Sequence, residues 1–185
     1  MPSQRTLLAA FVPAAVLAAC AADTGRGPES PYYAYPAVGV RLLKPLTIPA
    51  DQASVRLQNG HPVARNGVEE TEPYCILEIA TVAAAEQTVA AGDFPVARVQ
   101  RRVESFSGMP VFGTSVFGTG TGHDDGPSQV YYVTQFTLHA PGRPEVRSLT
   151  CQHNQATAGV GIPHHLTLAQ MRAALGDYIL LDLPR

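Results

Sequence analysis

Six stretches of this chain alternate apolar and polar residues with a period of two: "VGVRLL" at 38–43, "ASVRLQ" at 53–58, "YCILEIATV" at 74–82, "FPVARVQRRV" at 94–103, "VYYVTQFTLHA" at 130–140 and "EVRSLTCQH" at 145–153. Successive side chains of a strand point to opposite faces, so a segment with this period hides its apolar residues only as a strand with one buried face. The six are rich in Val, Ile, Tyr, Phe and Thr and are bounded by Gly, Pro and Asn, which end strands. The chain is therefore expected to be mainly β, a single antiparallel sandwich or barrel-like domain. The last two stretches flank "APGRP" and make the clearest hairpin.

One helix interrupts the pattern. "HLTLAQMRAALGDYILLDL" at 165–183 places Thr167 and Gln170 at capping-box spacing and Leu166 and Met171 at staple spacing. Leu168, Met171 and Leu175 line one face, and Gly176 is the stop. "YILLDL" then reads as a final strand, so the expectation is one C-terminal α-helix on a β domain. "AAAEQTVAAGD" at 83–93 suits a helical turn or a loop equally well. "LTIPADQASVRLQ" and "QTVAAGDFPVARVQ" align with one gap, by chance or as two equivalent strand entries.

The start, "MPSQRTLLAAFVPAAVLAAC", has one basic residue, Arg5, and then no charge through residue 20. That run is shorter than the roughly 20 apolar residues a spanning helix needs, and it ends in small residues, as a secretory signal peptide does. Leu17-Ala18-Ala19-Cys20 resembles the lipobox of bacterial lipoproteins. The resemblance implies that residues 1–19 are a signal peptide, that Cys20 is alkylated with diacylglycerol, and that cleavage falls before it. Membrane lipid is then the first partner, and Ala21 after the cysteine points to the outer membrane, with the domain facing the periplasm. Residues 20–37, "CAADTGRGPESPYYAYPA", are rich in Pro, Gly and small residues and read as a lipidated tether, leaving 38–185 as the domain.

With Cys20 assigned to lipid, Cys75 and Cys151 are an even pair in an oxidising compartment, where one disulfide is the default. Strand alternation places each on the apolar face of its segment. Formal net charge is −2, and twelve of the thirteen basic residues are Arg, with Lys44 alone. Arg101-Arg102 is the only basic cluster, which excludes a nucleic-acid footprint.

The candidate chemistry is sparse. In "GMPVFGTSVFGTGTGHDDGPSQ", Ser115 misses a nucleophile elbow because Phe117 stands where Gly is needed, and Gly118, Gly120 and Gly122 lack the Lys of a phosphate loop. The stretch reads as a Gly-rich loop at about 107–129. His123, Asp124 and Asp125 on that loop are the residues an envelope hydrolase would use. Together with His164-His165 and His153 they lack the local spacings of a zinc site. His164-His165 suit an exposed turn entering the helix, and His153 a strand end. Glu69, Glu70 and Glu72 form no calcium ladder and suit a solvated loop. Tyr32, Tyr33 and Tyr35 suit contacts with their own domain, a glycan or a partner protein.

"RLLKPLTIPADQASVRLQNG", "PYCILEIATV", "LTCQH" and "HLTLAQMRAALGDYILL" together resemble a class of proteobacterial outer-membrane lipoproteins with an anchor, paired cysteines and a C-terminal helix. The resemblance implies a mostly β periplasmic domain with no assigned activity. The expectation is a non-catalytic, lipid-anchored envelope protein without cofactor or metal, binding an envelope protein or glycan. A hydrolase and an accessory subunit of a secretion or outer-membrane assembly machine are the alternatives.

Overall fold

The computed structural model describes residues 27–106, 129–139, 145–155 and 162–183. Cys20, Ser115, His123, Asp124, Asp125 and the glycines of the 107–129 stretch lie outside them. The order of elements is β1 (Gly39–Leu42), β2 (Leu46–Ile48), β3 (Ser54–Gln58), β4 (His61–Val63), β5 (Tyr74–Ile79), β6 (Gln87–Val89), β7 (Gly92–Phe106), β8 (Gln129–Leu138), β9 (Val146–Gln152), α1 (Leu168–Leu175) and β10 (Ile179–Asp182). Each of the six alternating stretches contains a strand, and the predicted final strand is β10.

The domain is mainly β. Eight strands form one antiparallel sheet in the order β10-β1-β7-β8-β9-β5-β3-β4. α1 touches β10 at one end of that order and β3 and β5 near the other. A short helix reaches both ends only if the sheet curls around it, so the architecture is a half-barrel rather than a sandwich. β2 and β6 pair separately, Leu46 opposite Val89 and Ile48 opposite Gln87. These strands open the two similar stretches, so the faint echo corresponds to two strand entries lying against each other. β6 also resolves "AAAEQTVAAGD", whose centre is extended.

The concave face holds the core. Two cross-strand rows describe it: Val99, Phe136, Leu149, Leu77 and Val55 in the first, Arg101, Thr134, Cys151, Cys75 and Leu57 in the second. The first row is apolar throughout. The second carries Cys75 and Cys151 as directly opposed residues joined by a disulfide at its centre and two polar residues at one end. A register shift between Val96 and Arg98 in β7 makes this possible. One extra residue reverses which side chains face inward, so Phe94 faces the core before the bulge and Val99 and Arg101 after it.

α1 closes the open side of the half-barrel. Thr167 accepts a hydrogen bond from the Gln170 backbone N–H, and the Gln170 side chain accepts from the Thr167 N–H, which completes the capping box read from the sequence. Leu166, Leu168, Met171 and Leu175 are fully or almost fully buried. Among the described residues no helix is long and apolar enough to cross a membrane.

The packed domain begins before residue 38. Tyr35, assigned by composition to the tether, is buried, stacks edge-on against Phe136 with ring centroids 5.5 Å apart, and lies 5.0 Å from Tyr33. A Pro-rich segment adds little to a core through its backbone, but two large aromatic rings can dock it where the sheet offers a partner.

Candidate functional site

The two faces of the sheet treat their polar residues differently. On the convex face they satisfy one another. Ser148 Oγ donates to Glu78, Gln135 Nε2 reaches Ser148 Oγ at 3.4 Å, and Arg102 Nη1 donates to Gln135 at 3.0 Å. Further along, Tyr131 Oη donates to Glu70 at 2.6 Å, Gln129 Nε2 reaches the same oxygen at 3.2 Å, and Gln152 donates to Tyr74 Oη at 2.7 Å. Burial, reinforced by the Glu70 carboxylate, pushes the Tyr131 hydroxyl well above its ordinary pKa. Glu70, in the solvated loop expected from the sequence, also ties that loop to the sheet. A network with its partners in place rigidifies a surface.

Two buried glutamines fix loops in the same way. Gln58 donates to the Glu69 carbonyl at 2.8 Å and accepts from the Glu69 N–H at 3.0 Å. Gln155 donates to the His164 carbonyl at 2.7 Å and accepts from the His164 N–H at 2.9 Å. A primary amide offers the same donor and acceptor as a peptide group, so each glutamine substitutes for one missing bridge of a sheet. Gln155 thereby holds residues 162–167 across the end of the concave face.

Beneath that segment the polar atoms are not satisfied. Among the described residues, five buried side-chain atoms have no hydrogen-bond partner: Tyr35 Oη, Arg101 Nε, Thr134 Oγ1, His153 Nδ1 and His165 Nδ1. They lie together. Arg101 and Thr134 face each other across β7 and β8. The Arg101 guanidinium sits 5.2 Å from the Tyr35 ring centroid, and its Nη2 donates to the Tyr33 carbonyl. His165 packs edge-on to Tyr132 at 5.4 Å, and His153 lies 6.2 Å from His164. Between the Thr134–Cys151 pair and the isolated Tyr131–Asn154 bridge the β8–β9 ladder is interrupted. His165 bonds the Val133 backbone within this gap.

Burial decides what these groups can do. Thr134 is 0% exposed, Tyr35 4%, His153 8% and His165 9%. Desolvation pushes the His153 imidazole down to about 4, with a smaller contribution from the neighbouring His164. His165 is also lowered, by burial and by Arg101, while its bond to the Val133 backbone opposes the shift. Burial raises the Tyr35 hydroxyl, and Arg101 opposes it. Each unsatisfied buried group costs about 1–3 kcal/mol, and native domains hold such groups where a water, an ion or a ligand completes them.

The residues singled out in the sequence are divided by this arrangement. His153, at the end of β9, and His165 meet in the cluster, but not as an exposed turn. His165 is buried because Gln155 pins its segment onto the Tyr132 and His153 side chains. Arg101 and Arg102 form no basic patch: neighbouring strand residues face opposite sides, so Arg101 enters the interior while Arg102 joins the convex network. Thr134 carried no sequence signal of its own. Among the described residues no group of three or more His, Cys, Asp or Glu side chains stands ready to hold a metal.

The depressed His153 pKa sets a stability window. The folded state disfavours the proton relative to the unfolded chain, whose histidine titrates near 6.5, so this contribution is complete above about pH 6.5 and is lost as pH falls toward 4. A shift of this size amounts to on the order of 2–3 kcal/mol. His153→Leu is expected to lose that much less stability than wild type between pH 6.5 and 4 in urea titrations. Equal losses would show that His153 is not held neutral in the fold.

No family model, curated protein or solved structure matches the chain.

Proposed function

We propose that this chain is a lipid-anchored protein of the bacterial envelope whose β domain binds a ligand or partner and does not catalyse. The observation that carries the proposal is Leu17-Ala18-Ala19-Cys20 at the end of an uncharged run that is too short to span a bilayer. One acyl chain holds a protein only marginally, whereas two or three, at about 0.8 kcal/mol per buried methylene, make a lasting anchor. The pairing of the other two cysteines in the core suits an oxidising compartment. Ala21 supports the outer membrane as the destination, and the domain would then face the periplasm. The resemblance to proteobacterial lipoproteins points the same way.

Binding is favoured over catalysis by the polar side chains themselves. The convex-face groups are locked in mutual hydrogen bonds, and the concave-face cluster offers hydroxyls, imidazoles and a guanidinium without a carboxylate or thiol in reach of them among the described residues. Such a set can recognise a small polar group.

Wild-type protein is expected to incorporate labelled fatty acid and to fractionate with membranes, whereas Cys20→Ala accumulates as an unlabelled precursor. Processed, soluble, unlabelled wild-type protein would exclude the anchor. In-vivo crosslinking of the anchored protein followed by mass spectrometry then identifies the envelope component it contacts.

A further inference from the structure

We propose that the cluster at the end of the concave face binds a small oxyanion, a carboxylate or an inorganic oxyanion, which takes donated hydrogen bonds from Arg101 Nε, Tyr35 Oη and Thr134 Oγ1. All three atoms are buried and make no hydrogen bond of normal geometry among the described residues, and the Tyr35 hydroxyl lies beside Arg101. They come from adjacent positions: Arg101 opposite Thr134 in the register, and Tyr35 beneath the guanidinium. The inference deepens the binding-module reading by naming a ligand class.

Donor chemistry and charge both select an anion. Arg101 Nε–H can only donate, so water or another neutral molecule satisfies its geometry but brings no negative charge to the guanidinium. Tyr35 feels Arg101, Tyr33 and Arg172, and His165 feels Arg101 and His164, with no carboxylate among the influences on either. The salt bridges among the described residues engage Arg41, Lys44 and Arg102, not Arg101. A hydrogen-bonded oxyanion would supply the missing negative charge and accept from these neighbouring donors in charge-assisted bonds.

His165 completes the arrangement. Its bond to the Val133 backbone favours the protonated ring, which marks the carbonyl as acceptor and leaves Nδ1 as the position that faces no partner. Burial and Arg101 disfavour the charged ring. A bound anion reverses the local charge, so His165 gains a proton and becomes a fourth donor, and affinity rises as pH falls. Tyr35 is shared with an open depression of about 250 Å³ lined by residues 34–38 and 96–99 beside the β7 bulge.

The test uses the full-length chain purified from membranes in a non-ionic detergent, melted in increasing sodium acetate, phosphate or sulfate at constant ionic strength made up with chloride. A saturable rise in melting temperature is expected with one or more of the oxyanions, larger at pH 6 than at pH 8. A preference for acetate assigns a carboxylate ligand, and a preference for phosphate or sulfate an inorganic one. Tyr35→Phe and Thr134→Val, which keep side-chain volume, should each raise the apparent dissociation constant at least tenfold, and Arg101→Gln should abolish the response. The first two variants carry the test if Arg101→Gln does not fold. A response no larger than that to chloride, or one unchanged in Tyr35→Phe and Thr134→Val, would overturn the proposal. Failure of the Cys20 fractionation would leave this titration intact, and an anchored protein can still fail to titrate, so the two failures are distinguishable.

Discussion

Replacing both Cys75 and Cys151 with Ser is expected to lower the melting temperature by on the order of 10 °C under non-reducing conditions. The two residues are 76 apart in the chain, and closing a loop of that size removes about 4.5 kcal/mol of denatured-state entropy in the chain-entropy account, with measured effects usually about 2–4. A domain has roughly 5–15 kcal/mol in total, so the cross-link supplies a large part of it. Its position adds to this. Cys151 and Cys75 sit between Thr134 and Leu57 in one cross-strand row, both with no exposure, so the bond couples the β8–β9 hairpin to the β3–β5 pair in the middle of the core. Serine hydroxyls at these positions find an apolar surrounding and add a desolvation cost. Wild type melted in reductant isolates the cross-link from that cost and should fall part of the way toward the variant. Two free thiols in protein purified without reductant would reject the disulfide.

Where the period-two pattern ran for several residues, the strand was legible. β1, β3 and β5 lie inside alternating stretches because their inward face is buried, and alternation records that burial directly. β2, β4 and β6 have three residues each, too few for a period to appear. β4 had another signal: Asn59 and Gly60 both have positive φ and connect Gln58 to His61, the two-residue turn that Asn-Gly favours. β6 lies in an Ala-rich stretch whose local preference is helical, and its pairing with β2 overrides that preference.

The concave-face cluster was half legible. Val99, Arg101 and Val103 share one parity, so an arginine on an otherwise apolar strand face was visible in "VARVQRRV". A charged residue in that register asks for a partner. The histidines gave no such sign. Their burial depends on Gln155 pinning residues 162–167 over a gap in the β8–β9 ladder, a long-range arrangement that the local sequence "PHHLT" does not encode. Tyr35 was hidden by composition, because its neighbours are those of a linker. In each case the local sequence supplied the chemical group, and the fold supplied its neighbours.

Gly176→Ala is expected to destabilise the domain by on the order of 3–5 kcal/mol, through two costs at one position. Gly176 ends α1 with φ +58° and ψ −135°, a conformation open to glycine and strained for any residue with a Cβ. A Cβ there would also stand 2.4 Å from Gly60 Cα and 2.8 Å from Gly60 O, backbone atoms of the β3–β4 turn that cannot rotate away. The Gly60 N–H donates to the Ala174 carbonyl at 3.1 Å, so the turn and the helix end are already bonded. Relieving the overlap would mean lifting α1 from β3 and loosening the closure of the half-barrel. Gly60→Ala separates the two costs. Its φ of +79° imposes strain, but its nearest contact, 3.4 Å to Gly176 Cα, is ordinary, so about 1–2 kcal/mol is expected. Gly67→Ala, with nothing within 4 Å, should stay within about 0.5 kcal/mol of wild type. Denaturant melts of the three variants should therefore rank Gly176 well above Gly60, and Gly60 above Gly67. A Gly176→Ala protein as stable as Gly60→Ala would mean that the turn and the helix end are not packed backbone to backbone.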